Sequence, residues 1–203
     1  MATQTTLSVR DRSVLRALGK AGDILARAAN AAISNDTNLG RAALVAGGTN
    51  VAAKGTTDVH AAVASNAVNL FPGPITNPAV PRNLRAVFAA SYDGGNITVV
   101  GTNQFNVATT EVIVASAGAT VVGVKVFKTI TSITKATVGA TANTVSIGTG
   151  DLLGIVPVPQ VGSPVLLAVN GVGEAVTFDA TYNAFTATSI PNGSRSYVLT
   201  VNL

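Results

Sequence analysis

His60 is the only histidine in this 203-residue chain, and there is no cysteine or tryptophan. Metal and acid–base chemistry draws on His, Cys, Asp, Glu and Lys gathered at one place. Here such residues are few and scattered along the sequence. A Ser-His-Asp scheme would have to run through His60, and no nucleophile-elbow pattern surrounds a serine. A lone histidine in a strand-like stretch reads as structural. The absence of cysteine removes disulfides, thiolate metal sites and thiol nucleophiles together, and fits assembly in a reducing compartment.

The remaining candidates are short. Asp93-Gly94-Gly95-Asn96 could open a calcium loop, but the repeated oxygen ligands and closing glutamate are missing; it reads as a hairpin turn. Asp151, after Gly148-Thr149-Gly150, reads as a turn residue rather than a ligand. Gly171-Val172-Gly173 begins a dinucleotide-like pattern without a third glycine or a following helix, and also reads as a hairpin turn. Lys125, Lys128 and Lys135 sit among neutral strands with no aromatic ladder, which argues against nucleic-acid reading there. The chain is therefore expected to hold no catalytic residue, no cofactor and no metal.

Any element able to position a partner must come from the rest of the composition. It is 47% apolar and only 11% charged, and the apolar share is mostly alanine and valine. The apolar runs are broken well short of the roughly 18 residues of a membrane helix. No basic stretch followed by an apolar one marks the start as a secretory signal. Residues 1–54 carry seven bases and three acids, whereas residues 55–203 carry six of each. A basic arm thus precedes a neutral body, the boundary falling between residues 1–58 and 59–203.

Within the arm, residues 8–33 have the spacing of one amphipathic helix. Val14, Leu15, Leu18 and Leu25 lie on one face, while Arg12, Arg16, Lys20 and Arg27 follow the opposite one. Three readings stay open for it: a solvated cationic face over a local core, a helix docked on another protein, and contact with DNA. These eight residues are the candidate protein-interaction site. Residues 40–58 are an Ala/Gly-rich connector with little periodicity.

The body reads as strand after strand. Residues 59–64 alternate, and four prolines between residues 71 and 81 exclude helix and central strand. Further strands are expected at 83–90, 97–102, 110–115, 121–127, 128–135, 144–147, 164–169, 174–179, 185–189 and 195–202. The first two of these are expected to pair through the turn at 93–96. Short strands at regular spacing without helical interludes indicate a mainly β fold, an antiparallel β-sandwich or barrel with an N-terminal amphipathic helical arm.

The order of several motifs in this body carries a resemblance. Asn77-Pro78-Ala79-Val80-Pro81-Arg82-Asn83-Leu84-Arg85 is followed by Val99-Val100-Gly101-Thr102-Asn103, then Thr110-Glu111-Val112-Ile113. Next come Lys125-Val126-Phe127-Lys128-Thr129-Ile130-Thr131-Ser132-Ile133 and Val145-Ser146-Ile147-Gly148-Thr149-Gly150-Asp151-Leu152-Leu153-Gly154, with Pro191-Asn192-Gly193-Ser194-Arg195 near the end. This succession resembles structural proteins of tailed-bacteriophage virions. The resemblance implies a head decoration (cement) protein located in the virion and assembled in the host cytoplasm. Its implied partners are the major capsid protein and copies of itself, a homo-oligomer such as a trimer; nucleic acid and membrane are not expected partners. Other virion parts remain open, namely a head fibre, a tail tube or a head–tail connector subunit. So does a β-sandwich enzyme or sugar-binding module, although one without tryptophan and with three tyrosines has few stacking platforms.

Overall fold

The computed structural model describes residues 41–46, 51–156 and 166–202. Thirteen strands and no helix occur among them. The expected arm helix, with Arg12 to Arg27, lies outside the described residues. In chain order the strands are β1 (Arg41–Ala46), β2 (His60–Ala64), β3 (Arg82–Phe88), β4 (Ile97–Thr102) and β5 (Ala108–Ile113). They continue with β6 (Thr120–Phe127), β7 (Thr129–Lys135), β8 (Thr144–Gly154), β9 (Leu166–Val169) and β10 (Val172–Glu174). The last three are β11 (Val176–Asp179), β12 (Ala184–Ala187) and β13 (Tyr197–Asn202). The fold is mainly β, as the alternation predicts, and every pairing between strands is antiparallel.

Three sheets result. One runs β11-β12-β8-β3-β6 with β2 added on β8, one runs β5-β4-β7, and one runs β1-β13-β9-β10. The expected hairpin through Asp93-Gly94-Gly95-Asn96 does not form. β3 pairs with β6 and β8, whereas β4 pairs with β5 and β7. The turn is a crossing between sheets. Local turn chemistry gives the chain its bend there, but β3 finds better partners far along the sequence.

The strands β2, β8, β3 and β6 of the large sheet face β5, β4 and β7 as a half-barrel around a first core. Leu84, Ala86, Phe88, Ile97, Val99, Ile113, Phe127, Ile133, Val145 and Ile147 fill it. Burying side chains of this size contributes roughly 1.5–3 kcal/mol each before entropy is subtracted. A second core of Val51, Leu153, Ile155, Leu167, Phe185, Tyr197 and Leu199 brings together β8, β9, β12 and β13. The eleven-residue β8 serves both, because Val145 and Ile147 enter the first core and Leu153 the second. Sequence reading stops this strand at Ile147 and makes Asp151 a turn residue. The structure carries the strand through Gly148-Thr149-Gly150-Asp151. The glycines are there because backbone and side chains of other segments press on this stretch.

The connector is also more ordered than its composition suggests. It supplies β1, which pairs with β13 from Arg41↔Asn202 to Ala46↔Tyr197, and Val51, which enters the second core. The expected turn at Gly171-Val172-Gly173 closes the β9–β10 hairpin, shifted by one residue. Asn170 (φ 49°) and Gly171 (φ 81°) form its two-residue loop between the paired Val169 and Val172. Positive φ at both loop positions is what a hairpin of this twist requires.

Candidate functional site

Several buried charged and polar side chains of the body bond its own backbone, and for three of them the reason lies in the strand register. β3 meets irregularities on both of its neighbours. The ladder to β8 slips between Arg82 and Leu84, and the ladder to β6 slips between Asn83 and Arg85. A slip of this kind frees backbone groups that need other partners. Side chains supply them. Arg82 Nε donates to Gly150 O at 2.7 Å, Nη2 donates to the same oxygen, and Nη1 reaches Ala52 O at 2.9 Å. Asn83 Oδ1 accepts from Leu152 N at 3.0 Å, while its Nδ2 donates to Gly123 O at 2.7 Å. Glu111 Oε1 accepts from Val124 N at 2.6 Å and Lys125 N at 3.1 Å.

All three side chains are buried. Burial lowers the Arg82 pKa, with Asp151 and Asp58 opposing it. Burial raises the Glu111 pKa, opposed by its two N–H donors. Glu111 Oε2 has no hydrogen-bond partner. Two glycines make room for this arrangement. A Cβ at Gly150 would lie 2.3 Å from Asn83 Oδ1, and one at Gly123 would lie 2.5 Å from Glu111 Oε2. Glu111 thereby bridges the edge of β5 to the edge of β6.

The opposite side of the half-barrel is bridged by a cation. Lys135 is buried at the end of β7, and its Nζ donates to the carbonyls of Ala64 (3.1 Å), Ser65 and Ala67 (2.6 Å). Phe71 N to Ile133 O (3.0 Å) and Lys135 N to Asn69 O (2.9 Å) continue the contact. Lys135 is therefore not part of a surface basic patch with Lys125 and Lys128. Lys125 Nζ instead reaches Thr110 O at 2.6 Å and Lys128 Nζ reaches Asn106 Oδ1 at 2.9 Å.

A strap over the large sheet absorbs further polar residues. Asp58 accepts from Thr149 N (2.9 Å) and Thr149 Oγ1 (2.6 Å), Arg85 Nε donates to Gly55 O (2.5 Å), and Lys54 pairs with Asp151 (2.7 Å). A hollow of about 350 Å³ lies beside it, lined by Val51, Ala52, Asp58, Pro78, Val80 and Arg82 among others. Asp93, read from sequence as part of a hairpin turn, anchors the loop before β8. It accepts from Ser65 Oγ, Thr141 Oγ1 (2.9 Å) and Ala140 N (2.8 Å). Those bonds, Ser65 first, hold its pKa down to about 2.

His60 is buried, with Nδ1 2.8 Å from Ala61 O and Nε2 3.0 Å from Pro72 O. Its ring sits edge-on to Phe71 at 5.1 Å. Both nitrogens face backbone rather than a serine or carboxylate. Among the described residues, no three His, Cys, Asp or Glu side chains are grouped as a metal site would need. No helix among them is long and apolar enough to cross a membrane.

What the body shows outward is valine. Along β5 and just beyond it, Glu111 and Ile113 turn inward while Val112 and Val114 stay 55% and 63% exposed. On β6, Val121 packs against the first core while Val122 and Val124 are 54% and 53% exposed. The Glu111 bonds hold these two strands side by side, so the four valines form one outward strip. On monomers the largest apolar patches are roughly 300–600 Å² and are often functional. Sequence reading places strands over these residues and assigns them no role. The available signal was valine at both phases of the alternation, which a strand with one solvated face does not need.

No protein-family model matches the chain, and neither a curated protein nor a solved structure matches it. The eight arm residues expected to contact a partner lie outside the described residues.

Proposed function

We propose that the chain is a structural component of a tailed-phage virion, of the head decoration type, that binds and stabilises a capsid shell. Its partners on this reading are the major capsid protein and copies of itself, with the N-terminal arm as a second point of attachment. The outward valine strip carries the proposal: a hydrogen-bonded body keeps apolar surface available for burial against another protein. Engagement of Arg82, Glu111, Asp93 and Lys135 by the backbone fits a scaffold better than a reaction centre. The motif order from Asn77 to Gly154 supports the virion assignment.

Cosedimentation of the purified chain with isolated virion shells, counted as copies per shell subunit, tests it. Saturable occupancy approaching a fixed fraction of the shell subunits is expected; absence of binding to empty and filled shells alike refutes it. Deleting residues 1–34 or introducing Leu18→Asp is expected to lower occupancy, and Arg16→Ala to lower it less. A loss confined to DNA-filled particles would instead assign the arm to nucleic acid.

A further inference from the structure

Resting on that reading, we infer that the β5–β6 valine strip docks side-on against an apolar protein surface of the shell that is bordered by carboxylates. The geometry disfavours strand addition at this place. The facing edges of β5 and β6 are already occupied by each other, through Glu111 on Val124 N and Lys125 N and through Lys125 Nζ on Thr110 O. What is open is the outer face, and a face is buried by side-chain packing.

The charge around it selects the partner. Apart from the buried Glu111, the only charged side chain within β5 and β6 is Lys125, and Lys128 follows directly after β6. Thr110 and Val107 extend the exposed border on the β5 side. The strip is thus apolar with ammonium groups at one end and no accessible carboxylate on its two strands. A second copy docked about a two-fold axis along the strip would set these ammonium groups near each other, and one about an axis across it would offer them no carboxylate, since the strip carries none. The arm of a neighbouring copy would bring Arg12, Arg16, Lys20 and Arg27, again of the same sign. An apolar surface flanked by Asp or Glu fits both parts, with valine burial giving affinity and the lysines giving orientation and a faster encounter.

The test compares full-length variants for binding to isolated virion shells, with melting temperature as the folding control. The pair Val112→Asp and Val124→Asp is expected to weaken binding by about tenfold or more, the scale of losing a central apolar contact. The milder pair Val112→Thr and Val124→Thr, which keeps strand-forming side chains, is expected to fall between that and wild type. Lys125→Glu is expected to weaken binding and flatten its dependence on salt. Val68→Asp, at an exposed valine elsewhere, is expected to bind as wild type. If the wild-type chain binds and both valine pairs bind equally well, this inference fails while the proposed function stands. If the wild-type chain does not bind shells at all, both fail. Loss of self-association in the valine variants with shell binding intact would assign the strip to a second copy and overturn the inference. Valine-dependent binding to phosphatidylglycerol vesicles would likewise overturn it.

Discussion

Asn83 bonds backbone groups at both of the register slips around β3, and replacing it should cost far more than its size suggests. In Asn83→Ala, Leu152 N loses its acceptor and Gly123 O its donor, both inside the sheet. An orphaned buried group costs about 1–3 kcal/mol, so the pair predicts about 2–6 kcal/mol. For a chain of this size that lowers the melting temperature by roughly 4–24 °C. Asn83→Asp separates the two bonds. Its carboxylate can still accept from Leu152 N but sets a charged oxygen against Gly123 O. Burial and that carbonyl raise its folded pKa above the unfolded value. Its contribution is therefore present at low pH, where the hydroxyl donates to Gly123 O, and is lost as pH rises. Urea denaturation of wild type and both variants at pH 4 and pH 7.5 measures this. The deficit of Asn83→Asp against wild type should shrink on acidification, while that of Asn83→Ala should not. Deficits within about 0.5 kcal/mol for both variants, the range of ordinary surface changes, would mean that the slipped backbone is satisfied without Asn83.

Glu111→Gln keeps the acceptor for Val124 N and Lys125 N but cannot ionise. Because burial raises the Glu111 pKa, wild type should lose stability as pH climbs above the usual glutamate range, and the variant should not; urea midpoints from pH 4 to 8 report the crossing. Asp93→Asn should lower the urea midpoint at neutral pH. Since Asp93 is held down to about 2, its stabilisation is lost as pH falls toward that value, and the two proteins should converge there. Gly148→Ala places a Cβ 2.1 Å from Gly55 O, so the strap must shift, at about 1–3 kcal/mol of overpacking. Faster proteolysis between residues 51 and 58 would mark it.

Strand identity in this chain is written in local alternation, which is why β4, β6, β7 and β13 fall close to their expected places. Partner choice is not local. The bend at Asp93-Gly94-Gly95-Asn96 says that the chain turns, not that β3 will leave β4 for β8. Glycines at 148 and 150 read as a turn when seen alone. They read as strand once Gly55 and Asn83 are known to press there. β1, with three alanines among its six residues, carries no alternation to see. Arg82, Asn83 and Glu111 were visible as motif residues, yet their roles depend on backbone groups freed by slips that no single segment encodes. The valine strip was legible only as surplus apolar content.

The pairing of β1 with β13 also governs when the molecule can be finished. The barrel-forming strands lie between residues 60 and 154, and they can associate before β9 to β13 have left the ribosome. The sheet of β1, β13, β9 and β10 cannot, because β1 must wait for β13. Contacts so distant in sequence close slowly. A half-built species with Val51 and Leu153 uncovered and β1 unpaired should precede the native state, and it is the species most prone to aggregate. Slower synthesis would lengthen its life, and a chain cut short before Tyr197 would never leave it.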